Sequence, residues 1–237
     1  MAHAEQTHWW YTGMAAIAAD WLERLPSRSS GLILDVGCGT GGSLRWLTQF
    51  GRPYGVDVHP VALQLAAQRG GQRLVQADVQ ALPFASARFS IVTAFDVLYH
   101  LNVANDGTAL RELARVLLPG GWLLLRLPAH DWLRGAHDQT VHTRHRYTRN
   151  EVRTKLLAAG LRPVRVSYAN ALLLGPVVLW RVLQHCVAQP AASDVRMPPQ
   201  WFNRALTALL HAERFCLRRF NLPVGLSVMA LAQKEAR

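Results

Sequence analysis

The sequence predicts an α/β chain built on a mostly parallel sheet, with helices carrying the chain from one strand to the next. Three observations predict it. Strand-like runs recur at 31–36, 54–58, 73–78, 89–95, 122–127, 162–168 and 226–232. Several are continuously apolar, as strands buried on both faces are. Helical patterns fall between most of them, as right-handed crossovers require.

Taken in order, residues 5–25 read as one or two helices headed by His8-Trp9-Trp10-Tyr11 and closed by Pro26 and the Ser27–Ser30 run. Three adjacent aromatics cannot all face one core from a single helix. At least one is expected to project sideways, either as a lid over a ligand or as ordinary packing, and 1–29 is taken as a helical lid. The first strand runs into Asp35-Val-Gly37-Cys-Gly39-Thr-Gly41-Gly42, and a helix over 43–50 follows, ended by Gly51. The second strand leads to a helix over 60–69, with Pro60 in its first turn. After the fourth strand, a helix over 107–117 is stopped by Leu118-Pro-Gly-Gly121. A helix over 151–159 ends at Gly160, with Thr148 and Glu151 spaced as a capping box.

Beyond the sixth strand the pattern changes. Residues 171–187 are very apolar, 188–200 are rich in Pro, Ala and Ser, and 201–220 form a basic, aromatic helix. The segment 171–222 therefore reads as a helical insertion before the last strand, 223–237. With a core over 30–170, the 237 residues are expected to form one domain.

Composition narrows the function classes. Half the residues are hydrophobic and 17% are charged, which suits a globular protein and excludes a disordered one. Cys38, Cys186 and Cys216 show no paired spacing, against a disulfide framework or a cysteine-built zinc site. Residues 1–5 lack a basic region followed by an apolar run, so no leader and a cytoplasmic setting are expected. Residues 1–110 hold 7 Lys/Arg and 8 Asp/Glu, net −1, whereas 111–237 hold 19 and 7, net +12. A basic half suits an anionic acceptor or a membrane surface, or it merely solvates helices. No dense basic run occurs, so nucleic acid is not the expected partner.

The chemistry gathers at strand ends. Glycines after the first strand let backbone amides approach a ligand closely. Asp35 beside them is a poor neighbour for a pyrophosphate but suits a cationic group. Asp57 ends the second strand about 20 residues on, where an acidic side chain can accept both ribose hydroxyls. Asp78 ends the third strand, placed for an adenine amino group with Val79 as a backbone donor, and Asp96 ends the fourth. Four carboxylates at four parallel strand tips converge on the crevice where such sheets bind ligands. The bland alternative is four loop aspartates capping helices.

The ordered set Leu34-Asp-Val-Gly-Cys-Gly-Thr-Gly41, Gly55-Val-Asp57, Gln76-Ala-Asp78, Leu82-Pro-Phe84, Phe89-Ser-Ile-Val92 and Leu118-Pro-Gly-Gly121 resembles the motifs of class I S-adenosylmethionine (SAM) dependent methyltransferases. The nearest group is the methyltransferase type 11 family, and the resemblance covers about residues 30–130. It implies a Rossmann-like, seven-stranded sheet with helices on both faces and the last strand antiparallel. It also implies SAM as methyl donor, S-adenosylhomocysteine as product, and contacts by Asp35, Gly37, Gly39, Gly41, Asp57, Asp78 and Val79. Val58, Asp96 and Tyr11 complete the cofactor set expected here. No metal is expected, and no particular acceptor is implied.

Two places are candidates for the acceptor side. After the fourth strand, Tyr99 can orient an acceptor and His100 can take its proton, or His100 merely closes the pocket. The Asn/Asp-Pro-Pro-Tyr signature of amide methyltransferases is absent there. After the fifth strand comes His137-Asp138, then His142-Thr-Arg-His145-Arg146-Tyr147. From these, His145 is a second candidate base, and His142, Arg146 and Tyr147 are candidate acceptor contacts together with Trp10. Their spacing is not a zinc pattern. The apolar run over 171–180 is cut by Arg181 and His185, short of the roughly 20 residues a spanning helix needs. It is read as a roof over an apolar pocket, with an interfacial membrane segment or a homodimer contact as alternatives. The expected function is methylation of O, N or C on a small molecule, such as a sugar or natural-product intermediate. The alternatives are a peripheral membrane enzyme with a lipid-linked or isoprenoid acceptor, a SAM-binding protein without turnover, and an RNA methyltransferase.

Overall fold

In the computed structural model, which describes residues 7–25, 31–179 and 199–236, all seven strand-like runs are strands. They are β1 (Leu32–Val36), β2 (Arg52–Asp57), β3 (Leu74–Gln76), β4 (Phe89–Phe95), β5 (Leu117–Pro128), β6 (Leu161–Ala169) and β7 (Ser227–Lys234). The helices among the described residues include α1 (Trp9–Glu23), α2 (Gly42–Leu47), α3 (Pro60–Gln68), α4 (Asp106–Val116), α5 (Ala136–Thr140), α6 (Arg149–Ala158) and α7 (Gln200–Leu217). One sheet holds every strand in the order β3-β2-β1-β4-β5-β7-β6. The pairs β1–β2, β1–β4, β2–β3 and β4–β5 are parallel. The last strand, β7, lies antiparallel between β5 and β6, as expected. From β1 the chain turns first toward β2 and later back to β4 on the other side. That reversal opens a crevice at the C-terminal ends of β1 and β4.

Two boundaries differ from the sequence reading. The turn Leu118-Pro-Gly-Gly121 lies inside β5 rather than before it, and the pairing with β4 slips between Phe89 and Ile91 to admit it. Gly120, at φ +76°, takes the backbone conformation this bulge needs. Strand β3 is only three residues long, so Asp78 falls in the loop beyond it.

Alternation along the strands sends neighbouring side chains to opposite layers. Ile33, Ile91, Leu124, Met229 and Leu231 pack with Met14, Ile17, Trp21 and Leu22 of α1 and with Leu217 of α7. Leu34, Val92, Leu123, Leu125, Val228 and Ala230 pack on the other face with Leu110 and Leu113 of α4 and with Val152 and Leu156 of α6. Thr148 caps α6 by accepting the Glu151 N–H at 3.3 Å. The reciprocal half of the capping box is replaced, because the Glu151 carboxylate turns to His145 instead.

The described part of the expected insertion is not a separate lobe. Helix α7 runs beside α1 and in the same direction. Asn203 accepts the Trp9 N–H at 2.9 Å and donates to the Thr7 carbonyl at 2.9 Å. Gly13 meets Leu210, where a Cβ would lie 2.3 Å from Leu210 Cδ1, so only glycine permits this approach. Further along, Asp20 is 3% exposed and accepts from Arg214 and from Arg218, the latter at 2.6 Å. Charge-assisted bonds from these two arginines hold its carboxyl below the usual range against the opposing effect of burial. Residues 1–6, 26–30, 180–198 and 237 lie outside the described residues, and so does most of the apolar and Pro-rich stretch. No helix among the described residues is long and apolar enough to cross a membrane.

Candidate functional site

The crevice is built from the loops that leave β1, β2 and β4. Leaving β1, Gly37, Gly39 and Gly41 all have positive φ, at +73°, +53° and +83°. Their surroundings separate their roles. A Cβ on Gly37 would strike Val97 Cγ2 at 2.1 Å, and one on Gly41 would press on Ala66 at 3.2 Å. A Cβ on Gly39 would meet nothing within 4 Å. Gly37 and Gly41 are therefore glycine for packing, whereas Gly39 borders open space in the crevice.

Asp57 closes one side of that space. Its Oδ2 accepts the Gly39 N–H at 2.9 Å and its Oδ1 accepts the His59 N–H at 2.9 Å. A carboxylate has about four lone-pair sites. Two are used by the loops, which fixes the carboxylate and leaves two for hydroxyls. Asp78 is exposed, and its Oδ1 accepts the Gln80 N–H at 2.8 Å. Val79 beside it is buried at 5% exposure, whereas Val58 after Asp57 is 44% exposed.

Asp35 lies deeper, 1% exposed on β1. Ser43 Oγ donates to its Oδ2, and Thr93 Oγ1 donates to its Oδ1 at 2.6 Å. Burial dominates and pushes its carboxyl up to about 6, although both hydroxyls and nearby Arg126 pull the other way. A cation bound nearby favours the ionised form, so binding must expel the proton below that pH. Affinity for a cationic nucleoside should then fall by up to about tenfold per pH unit below about pH 6 and level off above it. Calorimetry at several pH values checks this. A flat profile, or a slope that survives Asp35→Asn, would remove Asp35 from the site.

At the tip of β4, Asp96 has φ +57° and holds Arg126 of β5 through Nε at 2.8 Å and Nη2 at 2.6 Å. The sequence reading missed Arg126. Its signal was a lone arginine inside Trp122-Leu-Leu-Leu-Arg-Leu127, where a buried guanidinium needs a partner. Trp10 of α1 covers this pair, 4.5 Å from the guanidinium carbon, and Tyr11 packs edge-on against Trp10 at 5.1 Å. The N-terminal aromatics thus reach the residues at the tips of β4 and β5.

The acceptor-side candidates divide. His100 accepts the Asn102 N–H on Nδ1 at 3.2 Å, and its ring lies 5.7 Å from that of His142. Burial, then the neighbouring His142 and His59, lower its pKa and keep the imidazole neutral. Tyr99, partly buried and near Asp96, has its hydroxyl pushed above the ordinary range and stays protonated. The segment after β5 requires correction. His145 has both nitrogens engaged, Nδ1 with Asp131 at 2.9 Å and Nε2 with Glu151 at 2.9 Å. A ring held between two carboxylates has no nitrogen free for an acceptor. Arg146 is 8% exposed, pairs with Asp138 at 2.7 Å and donates to the Ala129 carbonyl at 3.1 Å. Tyr147 is 1% exposed, and its hydroxyl donates to Asp106 at 2.8 Å, with the Leu98 carbonyl at 3.1 Å. These two expected acceptor contacts brace the loop beneath the crevice. No cluster of three metal-ligating side chains occurs among the described residues.

A family model described as a methyltransferase domain matches residues 34–125, the stretch that supplies the glycine turn and Asp35, Asp57, Asp78 and Asp96. Over residues 34–125 the chain carries a methyltransferase domain. Over 163 residues it is 31% identical to the malonyl-[acyl-carrier protein] O-methyltransferase of Pseudescherichia vulneris, covering 64% of each chain. Over 114 residues it is 39% identical to the 2-phytyl-1,4-naphtoquinone methyltransferase of Thermosynechococcus vestitus, covering 44% of this chain and 48% of that one. The chain spans about half to two thirds of the length of these relatives. The solved geranyl diphosphate C-methyltransferase of Streptomyces coelicolor, in complex with S-adenosyl-L-homocysteine, superposes with a TM-score of 0.59. That match covers 93% of this chain and 80% of that one at 14% identity, a likeness of fold. The methyltransferase architecture is thus shared across very different named acceptors.

Proposed function

We propose that this protein transfers a methyl group from SAM to a small-molecule acceptor that enters beside Tyr99 and His100. The observation that carries the reading is the open space at Gly39, bordered by the pinned carboxylate of Asp57 with Asp35 buried nearby. The residues suit SAM: Asp57 would take the ribose hydroxyls, Asp78 and Val79 the adenine edge, and Asp35 the positive charge of the amino acid end. Bound SAM would supply an electrophilic methyl on a sulfonium whose charge vanishes on transfer. Trp10 and Tyr11 stand where a lid would exclude water.

On the acceptor side, the chain's task is to position a nucleophile and, where it carries a proton, to remove it. His100 is neutral; with Nδ1 accepting the Asn102 N–H, its Nε2 carries the proton, so it serves as a base only after the ring releases that hydrogen bond and takes the other tautomer. Tyr99 stays protonated and can donate to an acceptor oxygen. His142 lies close enough to His100 to line the same entrance. None of these three side chains needs a metal for these roles.

The test is transfer of isotopically labelled methyl from SAM to fractionated cell extract. Label is expected in the small-molecule fraction; label in lipid or in RNA would shift the assignment to those acceptors. At saturating SAM, His100→Ala should lower kcat by about a hundredfold or more, with SAM affinity unchanged, and His142→Ala should lower it less. Unchanged kcat in both variants would remove the base.

A further inference from the structure

The outer face of α7 is unlike the solvated face of an ordinary surface helix. Trp201, Arg204 and Phe215 recur at helical spacing on one side, with small alanines at 205, 208 and 212 between them and Arg219 in the turn just past the helix end. Trp201 is 72% exposed and Phe215 61%, and Phe220 just past the helix is 67% exposed. The opposite side carries Leu210, Glu213 and Leu217 into the protein against α1 and the sheet. Glu213 is the acid of this helix and is 1% exposed, accepting the backbone N–H groups of Asn170 and Leu172. No carboxylate therefore stands on the outer face of α7. The Arg219 guanidinium lies 5.8 Å from the Phe215 ring, so cation and aromatic share one end.

We propose that this face docks on an anionic bilayer surface, its aromatic rings entering the headgroup layer and its arginines meeting lipid phosphates. Charge selects this occupant. A second copy of the chain would set Arg204 and Arg219 against further arginines with no acid to meet them. An RNA strand needs a continuous basic track, and here two arginines stand at opposite ends of an alanine-floored strip. A fluid anionic interface needs only what the strip offers, apolar rings with flanking cations on a flat face. Docking is independent of methyl transfer, because none of these residues belongs to the SAM crevice.

The full chain should float with vesicles of phosphatidylcholine mixed with phosphatidylglycerol, and not with phosphatidylcholine alone. Added salt should weaken the association. The double variants Trp201→Ser with Phe215→Ser, and Arg204→Glu with Arg219→Glu, should each lose about tenfold or more in vesicle affinity while SAM affinity stays unchanged. The substituted side chains are exposed or partly so, and circular dichroism would verify that the variants fold. Three outcomes would overturn the proposal: no flotation of the natural chain with anionic vesicles, flotation of both variants equal to that of the natural chain, or self-association or RNA binding that the same variants abolish instead.

Discussion

Gly39→Val is expected to abolish measurable SAM binding, with affinity down by about a hundredfold or more, the equivalent of about 2.8 kcal/mol. The fold should survive. Open space surrounds the position where the new side chain would begin, so the stability cost is mainly that of a left-handed backbone, φ +53°, about 1–2 kcal/mol. Gly37→Ala is the informative contrast. Its Cβ would lie 2.1 Å from Val97 Cγ2, inside the packing between the β1 and β4 loops. That variant should lose stability first and binding as a consequence. Calorimetric titration with SAM, paired with thermal melts of both variants, separates the two. If Gly39→Val bound SAM normally, the open space beside that glycine would not be the cofactor's.

Asp57→Ala should weaken SAM binding by more than about tenfold, through two routes that add. The ribose would lose a charged acceptor, and the amides of Gly39 and His59 would lose the carboxylate that holds their loops at 2.9 Å. Asp57→Asn should fall between alanine and the natural residue, because an amide keeps one accepting oxygen and reverses the other. The loop contribution appears as a lower melting temperature without ligand, and the ribose contribution as weaker binding of SAM itself. Unchanged calorimetric affinity in Asp57→Ala would remove Asp57 from the site and with it the orientation given to the nucleoside.

How much of this was legible before any coordinates depended on how local each signal was. The seven strands and the glycine turn were readable because continuous apolar runs and left-handed backbone positions are written in adjacent residues. Asp35, Asp57 and Asp96 could be placed at strand tips for the same reason. What the carboxylates touch was not readable. That Thr93 and Ser43 hold Asp35, or that Arg126 grips Asp96, follows from the pairing of β1 with β4 and of β4 with β5. The segment over 142–147 misled most. Its histidines and arginines have the composition of an acceptor site, yet Arg146 and Tyr147 turn inward to satisfy Asp138 and Asp106. A polar residue's type does not reveal which way it faces when its partner lies 8 or 41 positions away.

The sequence by itself determined the order of strands and helices, the glycine turn and the acids that follow each strand. Tertiary structure decided the rest: that α7 lies along α1 and leaves an aromatic, basic face outward, that Trp10 covers Arg126, and that His145 is clamped. The division has one physical cause. Backbone preference and apolar periodicity act between near neighbours, whereas the partner of a buried charge is chosen by which distant segments the sheet and its helices bring together.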